Sequence, residues 1–300
     1  MITPDFKMNA HTTQLLNDRD PAPITSSQGQ NAILYTGPHN GAAIPACLTP
    51  CLGTDPIWFN RAHEARDLHM SGLFEKLCST ATDASYLAGN YSRLVCDLNT
   101  IPDYAITRNS SEHKDLLIPA NQSDTCCPNQ KSMRLQEIYH PYHNTKEQMI
   151  TQIRSQNGGA LVLDLHSFTP VYQGEQRDVE ISTIRCEKTP FSHCLEEFFK
   201  HHQSEYHFVS GKPYKVAQRP SNAAPLISAI NDLQYLGLEI RNDVIDTPEK
   251  QERMISFINR AMDYVLNCAQ QDPQIIAKRS KALNISEAPP QTTEITYPMI

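Results

Sequence analysis

Short apolar runs bounded by Gly, Pro, Asn or charged residues recur through the middle of the chain. Each is too short for an amphipathic helix, and each passes directly into polar residues, which is typical of a buried β-strand. The four predicted strands are residues 32–36, 93–97, 160–165 and 236–240.

Longer segments between these runs predict helices at residues 59–79, 133–156, 190–206 and 248–266. The last has the clearest pattern, with Thr247 as an N-cap, Pro248 at the first helical position and one apolar face. Gly158 and Gly159 end the second helix. Strands that alternate with helices predict an α/β fold, with a mixed, mostly parallel central sheet and helices on both faces.

The two ends of the chain are polar, which predicts three regions: an N-terminal arm at 1–30, a compact domain at 31–268 and a Pro-containing tail at 269–300. No apolar run approaches the ~18 residues of a membrane-spanning helix, and the start lacks a secretory signal pattern, so we expect a cytoplasmic protein. The 26 basic residues are outnumbered by 33 acidic ones, which disfavours nucleic acid as a partner.

Polar and charged residues follow each predicted strand. His39 follows the first strand, Asn99 the second, His166 the third and Arg241 the fourth. In open α/β sheets, ligands bind outside the carboxyl ends of the strands. We therefore expect these side chains to meet at one edge of the sheet.

Two of these residues, His39 and His166, suggest a metal site. Asp164 lies two positions before His166, so both side chains point to one face of the sheet and the carboxylate can support a metal-binding imidazole. Each histidine can equally have a structural role, bonded to a backbone carbonyl. A three-ligand zinc site with one open position needs one more ligand, and His63, Glu64, Asp67 and His69 all offer one.

Glu239 lies in an apolar strand, where an ionised carboxylate is costly unless it is paired or close to a metal. One interpretation is an internal ion pair with Arg241. The other is a catalytic carboxylate that takes a proton from metal-bound water and passes it to a leaving amine, a role that a pKa raised by burial favours.

His140 and His143 lie three residues apart near the start of the second predicted helix. This spacing suits metal ligation or the lining of a substrate pocket. It also suits a polar helix start.

Five motifs together resemble the N-formylglutamate amidohydrolase family, in the order that is typical of that family. They are PHNG at 38–41 with IP at 44–45, SRLVCDLN at 92–99, YHPYH at 139–143, DLHS at 164–167 and GLEIRND at 237–243. These motifs span nearly all of the predicted domain. The resemblance implies a fold related to the zinc carboxypeptidases, one Zn²⁺ ion, and hydrolysis of a linear amide bond in a small anionic N-acyl amino acid.

The resemblance also implies roles for individual residues. His39, His166 and Asp67 would bind the metal, with Glu64 as the alternative carboxylate, and Glu239 would be the general base and acid. Arg93 and Asn99 would hold the substrate's carboxylate or polarise its carbonyl. His140 and His143 would line the substrate site, and Arg177 and Arg241 would recognise substrate charge.

One position departs from the family pattern: Thr100 follows Asn99 where many members have Arg. The loss of a guanidinium removes a rigid bidentate clamp for a carboxylate or an oxyanion. Two alternatives to the amidohydrolase stay open, the first suggested by Thr100 and the polar ends of the chain and the second by the related fold. The chain would be a non-catalytic ligand-binding or regulatory protein on a degenerate hydrolase scaffold, or a metallopeptidase that acts on short peptides.

Overall fold

The computed structural model describes residues 15–48, 66–80, 83–106, 118, 121, 128–172, 174–185, 188–214 and 233–277. Eight strands are present in this part of the chain. Six of them form one sheet in the order β1-β3-β2-β4-β8-β7, and β5 and β6 form a separate hairpin. The strands are β1 Ile24–Ser27, β2 Ile33–Gly37, β3 Ser85–Gly89, β4 Leu161–Phe168, β5 Val171–Tyr172, β6 Glu175–Gln176, β7 Ile181–Ile184 and β8 Gln234–Arg241.

The centre of the sheet is parallel and both of its edges are antiparallel. Strands β3, β2, β4 and β8 pair in parallel, while β1 and β7 add to the two sides in the opposite direction. The central strands are buried almost throughout, which explains the continuous apolar runs of β2, β4 and β8. The predicted mixed, mostly parallel sheet is confirmed.

Helices cover both faces of this sheet, as predicted. One face packs against α1 (Met70–Thr80), α4 (Pro190–His201) and α5 (Pro248–Gln271). The other face packs against α2 (Pro128–Arg134), a π-helical turn (Leu135–Tyr139) and α3 (His140–Asn157). Short 3-10 turns occur at Pro102–Tyr104, Asn242–Val244 and Pro273–Ile275. No helix within the described residues is long and apolar enough to cross a membrane.

The predicted caps of two helices are confirmed. Thr247 caps α5 and accepts a hydrogen bond from the Lys250 N–H, with Pro248 in the first turn. Gly158 ends α3 in the left-handed conformation, at φ 76°. Helix α1 begins at Met70, and the predicted helical residues 59–65 lie outside the described residues.

The predicted strand at 93–97 is wrong. These residues form turns, in which the Ser92 carbonyl accepts hydrogen bonds from Val95 and Cys96. The segment is apolar because Val95 and Cys96 pack into the hydrophobic cluster on the α3 face. The actual strand is β3, whose Ser, Ala and Gly residues give a weak apolar signal.

Both predicted polar ends contain ordered structure next to the domain. Residues 24–27 are β1, an exposed edge strand whose polar side chains explain why its sequence resembles an arm. At the other end, α5 continues to Gln271, Ile275 is buried, and Ala277 forms a β-bridge with Gly159.

The strand order places a crevice between β2 and β4. From β2 the chain passes to β3 on one side, and from β3 it crosses to β4 on the other. Such a reversal leaves a gap at the carboxyl ends of the two strands, where ligands bind in open α/β sheets. His39 and His166 lie at this crevice.

The capping box at the start of α4 predicts a measurable loss of stability on substitution. Thr189 Oγ1 accepts a hydrogen bond from the Ser192 N–H (3.0 Å), and Ser192 Oγ accepts one from the Thr189 N–H (2.8 Å). We expect Thr189→Ala to lower the free energy of unfolding by about 1 kcal/mol in urea titrations. Thr189→Ser should retain most of the stability. Thr247→Ala removes a single, longer hydrogen bond of 3.3 Å, so it should lower the free energy of unfolding by less than Thr189→Ala does. An equal or larger loss in Thr247→Ala would contradict this prediction.

Candidate metal centre

His39 lies just beyond the carboxyl end of β2 and is almost fully buried. Its ring Nε2 donates a hydrogen bond to Asp97 Oδ1 at 2.7 Å, so Nδ1 is the ring nitrogen that remains available for a metal. The His39 carbonyl accepts a hydrogen bond from the Asp67 N–H at 3.1 Å. This bond joins the turn after β2 to the segment that precedes α1.

His166 lies near the carboxyl end of β4 and shares its face of the sheet with Asp164. Its Nδ1 is 2.8 Å from Asp67 Oδ2, and its Nε2 is 3.3 Å from Asp164 Oδ2. Hydroxyl groups hold Asp164 in turn: Thr36 donates to Oδ1 at 2.6 Å and Tyr235 to Oδ2 at 2.9 Å. The structure thus places a carboxylate beside the imidazole, as the Asp-x-His spacing predicts.

Asp67 lies in the turn before α1, between the two imidazoles. Its Oδ1 is 3.6 Å from His39 Nδ1, and its Oδ2 also accepts a hydrogen bond from the Ser167 N–H at 3.2 Å. One ligand atom from each of His39, Asp67 and His166 lies within 4.8 Å of the others. His69, an alternative ligand in the sequence, is outside this group, and His63 and Glu64 lie outside the described residues.

Electrostatics favour positive charge at this group. Burial alone would lower the pKa of His166, but Asp164 and Asp67 raise that pKa well above 6.5. Burial alone would raise the pKa of Asp67, but His39 and His166 lower it below its usual value. Without a cation, the carboxylates therefore keep protons on the rings. A metal ion can take the place of these protons, because metal binding deprotonates its ligands.

The donor set fits zinc. Two imidazole nitrogens and one carboxylate oxygen are a known zinc ligand set that leaves a fourth position open. His39 Nδ1 is buried and has no hydrogen-bond partner within the described residues, which is costly for a polar atom unless it binds something else. Each ring also has a carboxylate on its Nε2, from Asp97 or Asp164, as metal-binding imidazoles usually do.

Glu239 lies beside the candidate ligands on β8, directly opposite His166 in the strand register. Its side chain is buried, and Oε2 has no hydrogen-bond partner within the described residues. Burial, opposed by the charge of His166, raises the pKa of Glu239 to about 7. The alternative ion pair with Arg241 is wrong, because the Arg241 guanidinium bonds instead to Asp243 at 2.7 Å and Glu180 at 3.5 Å.

Arg93 and Asn99 are connected to the imidazoles in different ways. Arg93 Nη2 donates to Asp97 Oδ2 at 2.8 Å. Asn99 Nδ2 is 3.3 Å from His166 Nε2, while Asn99 Oδ1 is buried without a partner in the described residues. Arg93 is therefore connected to the site through Asp97, whereas Asn99 contacts the candidate ligand His166 directly.

Arg177 follows the β5–β6 hairpin and is held by aromatic rings. Its guanidinium lies 4.6 Å from the ring centroid of Tyr172, 5.5 Å from that of Tyr214 and 5.7 Å from that of Phe168. Burial and the charge of Glu239 raise the pKa of Tyr214 to about 12, which places this hydroxyl within electrostatic range of the site. Tyr214 thus contacts Arg177 and lies close enough to Glu239 for their charges to interact.

Three other predicted substrate residues are not brought to the centre. The Arg241 guanidinium also donates to the Arg177 carbonyl at 2.9 Å, so it supports the backbone. His140 is exposed, and His143 packs against Tyr139 with ring centroids 4.1 Å apart and ring planes tilted by 35°. Within the described residues, neither histidine has a hydrogen bond or ring contact with a candidate ligand. Burial, aided by the charge of Lys146, lowers the pKa of His143 to about 3.

Two residues at the site were not identified from the sequence. Asp97 belongs to the SRLVCDLN motif, but its placement in a predicted strand concealed the turn that brings it to His39. Tyr214 has no sequence signal, since a single tyrosine after Pro213 has no recognisable pattern. Thr100, the departure from the family pattern, has a buried hydroxyl without a partner in the described residues.

Comparisons with known proteins identify the family. The model of the N-formylglutamate amidohydrolase family matches residues 31–245. The N-formylglutamate deformylase of Pseudomonas aeruginosa PAO1 is 27% identical over an alignment that covers 53% of this chain and 62% of that protein. The chain thus spans under two thirds of that relative's length.

Two crystal structures share the fold. A protein from Agrobacterium tumefaciens aligns with a TM-score of 0.74 and 21% identity, over 86% of this chain and all of that one. The N-formylglutamate amidohydrolase of Ralstonia eutropha JMP134 aligns with a TM-score of 0.67 and 15% identity, over 84% and 99% of the two chains. With more than half of its length matched by the family model, the chain belongs to the N-formylglutamate amidohydrolase family.

Proposed function

We propose that this protein is a zinc-dependent hydrolase that removes the acyl group from a small N-formyl amino acid, with N-formyl-L-glutamate as the first substrate to test. One observation carries the proposal: the ligand atoms of His39, Asp67 and His166 converge beside a buried carboxyl oxygen of Glu239 that has no hydrogen-bond partner within the described residues. The named activity of the Pseudomonas aeruginosa relative supports this substrate class.

His39 and Asp67 would hold the metal through Nδ1 and a carboxylate oxygen, and His166 would contribute its Nδ1. Zinc in such a site supplies Lewis acidity, which activates water and polarises an acyl carbonyl. Asp97 and Asp164 keep the two Nε2 atoms engaged, so both rings present their other nitrogen to Asp67.

Glu239 would move the proton. Its carboxylate takes a proton from the water that attacks the formyl carbon, and then gives it to the amine nitrogen as the C–N bond breaks. The products are formate and the free amino acid. Burial raises the pKa of this carboxyl group to about 7 in the metal-free protein, which makes Glu239 a better proton acceptor than an exposed glutamate.

Substrate charge would be recognised by Arg177. Its planar guanidinium can bind a carboxylate through two hydrogen bonds, and the rings of Tyr172 and Tyr214 restrict its orientation. The Asn99 side-chain amide is a second polar group next to the candidate ligands. Substrate contact by His140, His143 and Arg241 gains no support from their positions and stays a prediction. The cytoplasmic location and the exclusion of nucleic acid likewise stay predictions.

The first prediction of the proposed function concerns metal content. Reconstituted protein should bind about one zinc ion per chain by elemental analysis. Because the loss of a residue that merely supports a ligand costs 10–100-fold in metal affinity, His39→Ala or His166→Ala should cost more than ~100-fold. The control is His193→Ala, on the exposed face of α4, which should bind zinc as the wild type does. Equal zinc affinity in His39→Ala and His193→Ala would contradict the proposed ligands.

The second prediction concerns catalysis by Glu239. Glu239→Gln keeps the shape of the side chain and removes the proton acceptor, so kcat on N-formyl-L-glutamate should fall by ~10²–10⁴-fold with zinc content unchanged. The assay should also include N-acetyl-L-glutamate and dipeptides. Release of amino acids from dipeptides alone would identify a peptidase. If no compound is hydrolysed but ligands raise the melting temperature, the chain is a binding protein.

The third prediction concerns the metal-free protein. Burial raises the pKa of Glu239 from 4.5 to about 7, so the folded state disfavours the ionised carboxylate. Below pH 4.5 the group is protonated in both states and has no effect. Between pH 4.5 and 7 the unfolded chain ionises first, and wild-type stability falls relative to Glu239→Gln.

In chelator, Glu239→Gln should therefore be more stable than wild type at pH 8, by up to about 3 kcal/mol, with no difference at pH 4. Urea unfolding across this pH range measures the effect. A wild type that is the more stable of the two at pH 8 would show that Glu239 has a favourable partner.

A further inference from the structure

Arg93, Asp97 and His39 form a hydrogen-bonded chain that ends at the candidate metal centre. Arg93 Nη2 donates to Asp97 Oδ2 at 2.8 Å, and His39 Nε2 donates to Asp97 Oδ1 at 2.7 Å. The two oxygens of one carboxylate thus have different partners. The side chains of Asp97 and His39 are 16% and 3% exposed, so little water competes for these bonds.

The local backbone fixes this arrangement. The Ser92 carbonyl accepts hydrogen bonds from the N–H groups of Val95 and Cys96, so the chain turns as in a helix and places Arg93 and Asp97 on one side, four residues apart. The Asn99 N–H donates a further bond to Asp97 Oδ1 at 2.9 Å. The carboxylate therefore has a defined position before any ligand binds.

This position determines which nitrogen of His39 is available. With Nε2 bonded to Asp97, only Nδ1 remains, and it faces Asp67 Oδ1 at 3.6 Å. Ligands whose second nitrogen is held by a carboxylate lose affinity when that carboxylate is removed.

We infer that Arg93 and Asp97 are a positioning pair that orients His39 for metal binding, and that Arg93 acts through Asp97 rather than by contact with the substrate. The inference rests on the proposed zinc site. It replaces the substrate contact that the family resemblance implies for Arg93.

The experiment measures zinc affinity by chelator competition in wild type, Asp97→Asn, Arg93→Gln and the double variant. Asp97→Asn should bind zinc 10–100-fold more weakly. Arg93→Gln should weaken binding by a smaller factor, up to ~10-fold. Because Arg93 acts through Asp97, the double variant should bind no more weakly than Asp97→Asn alone.

A matched control separates this effect from a general loss of stability. Arg185→Gln breaks the ion pair between Arg185 Nε and Glu196 Oε1, also 2.8 Å long, and Arg185 is 27% exposed against 26% for Arg93. It should lower the melting temperature and leave zinc affinity unchanged. Circular dichroism verifies that each variant is folded, and if Asp97→Asn does not fold, the loss of zinc affinity in Arg93→Gln relative to Arg185→Gln tests the pair.

Several results would overturn the inference. If Arg93 contacts the substrate, Arg93→Gln will raise KM for N-formyl-L-glutamate at saturating zinc with zinc affinity unchanged. If Asp97→Asn binds zinc as the wild type does, the pair has no positioning role, although the proposed function stands. Wild-type protein that binds no zinc would overturn the proposed function, and this inference with it.

Discussion

The site depends on the balance of charge among three carboxylates whose side chains are between 1% and 16% exposed. Asp67, Asp97 and Asp164 lie within hydrogen-bonding distance of the two imidazoles, and each has its pKa lowered by neighbouring positive charge or hydrogen bonds despite burial. Ionised carboxylates in such an environment are tolerated only with cationic partners. The cationic partners come from different parts of the chain: His39 from the turn after β2, Arg93 from the turns after β3 and His166 from strand β4. The charge balance therefore links three sections of the crevice to one another, and it defines where a divalent cation would replace protons.

Much of the sheet could be predicted because its central strands are buried on both faces. Strands β2, β4 and β8 are continuous apolar runs, and their carboxyl ends locate His39, His166 and Glu239 without knowledge of tertiary structure. Strand β3 could not be distinguished from the apolar turns that follow it, since Val95 and Cys96 are as buried as a strand residue. The polar edge strand β1 lacks the apolar signal altogether.

Site residues could be predicted where their position follows from the end of a strand. Residues that only the tertiary fold brings to the site were harder to predict. Asp67 was one of several acidic or histidine residues in its segment, and the residues alone did not distinguish it from His69. Arg241 is two positions from Glu239, which suggests an ion pair, but its guanidinium turns to Asp243 and Glu180 instead. Long flexible side chains choose among several partners, so their contacts depend on the whole structure. This flexibility explains why substrate-binding arginines are harder to assign than metal ligands at strand ends.

The strand order has a consequence for assembly. In the sheet, β8 lies between β4 and β7, although β7 is made first. Until residues 234–241 are added, β7 has no strand of the sheet to pair with, and β4 has an open edge. The same step brings Glu239 opposite His166, in a register where a slip of one residue would turn the carboxylate to the other face. Closure of the sheet and completion of the candidate catalytic group are therefore one event, so a chain that has not inserted β8 can have the candidate metal ligands but not the proposed proton acceptor.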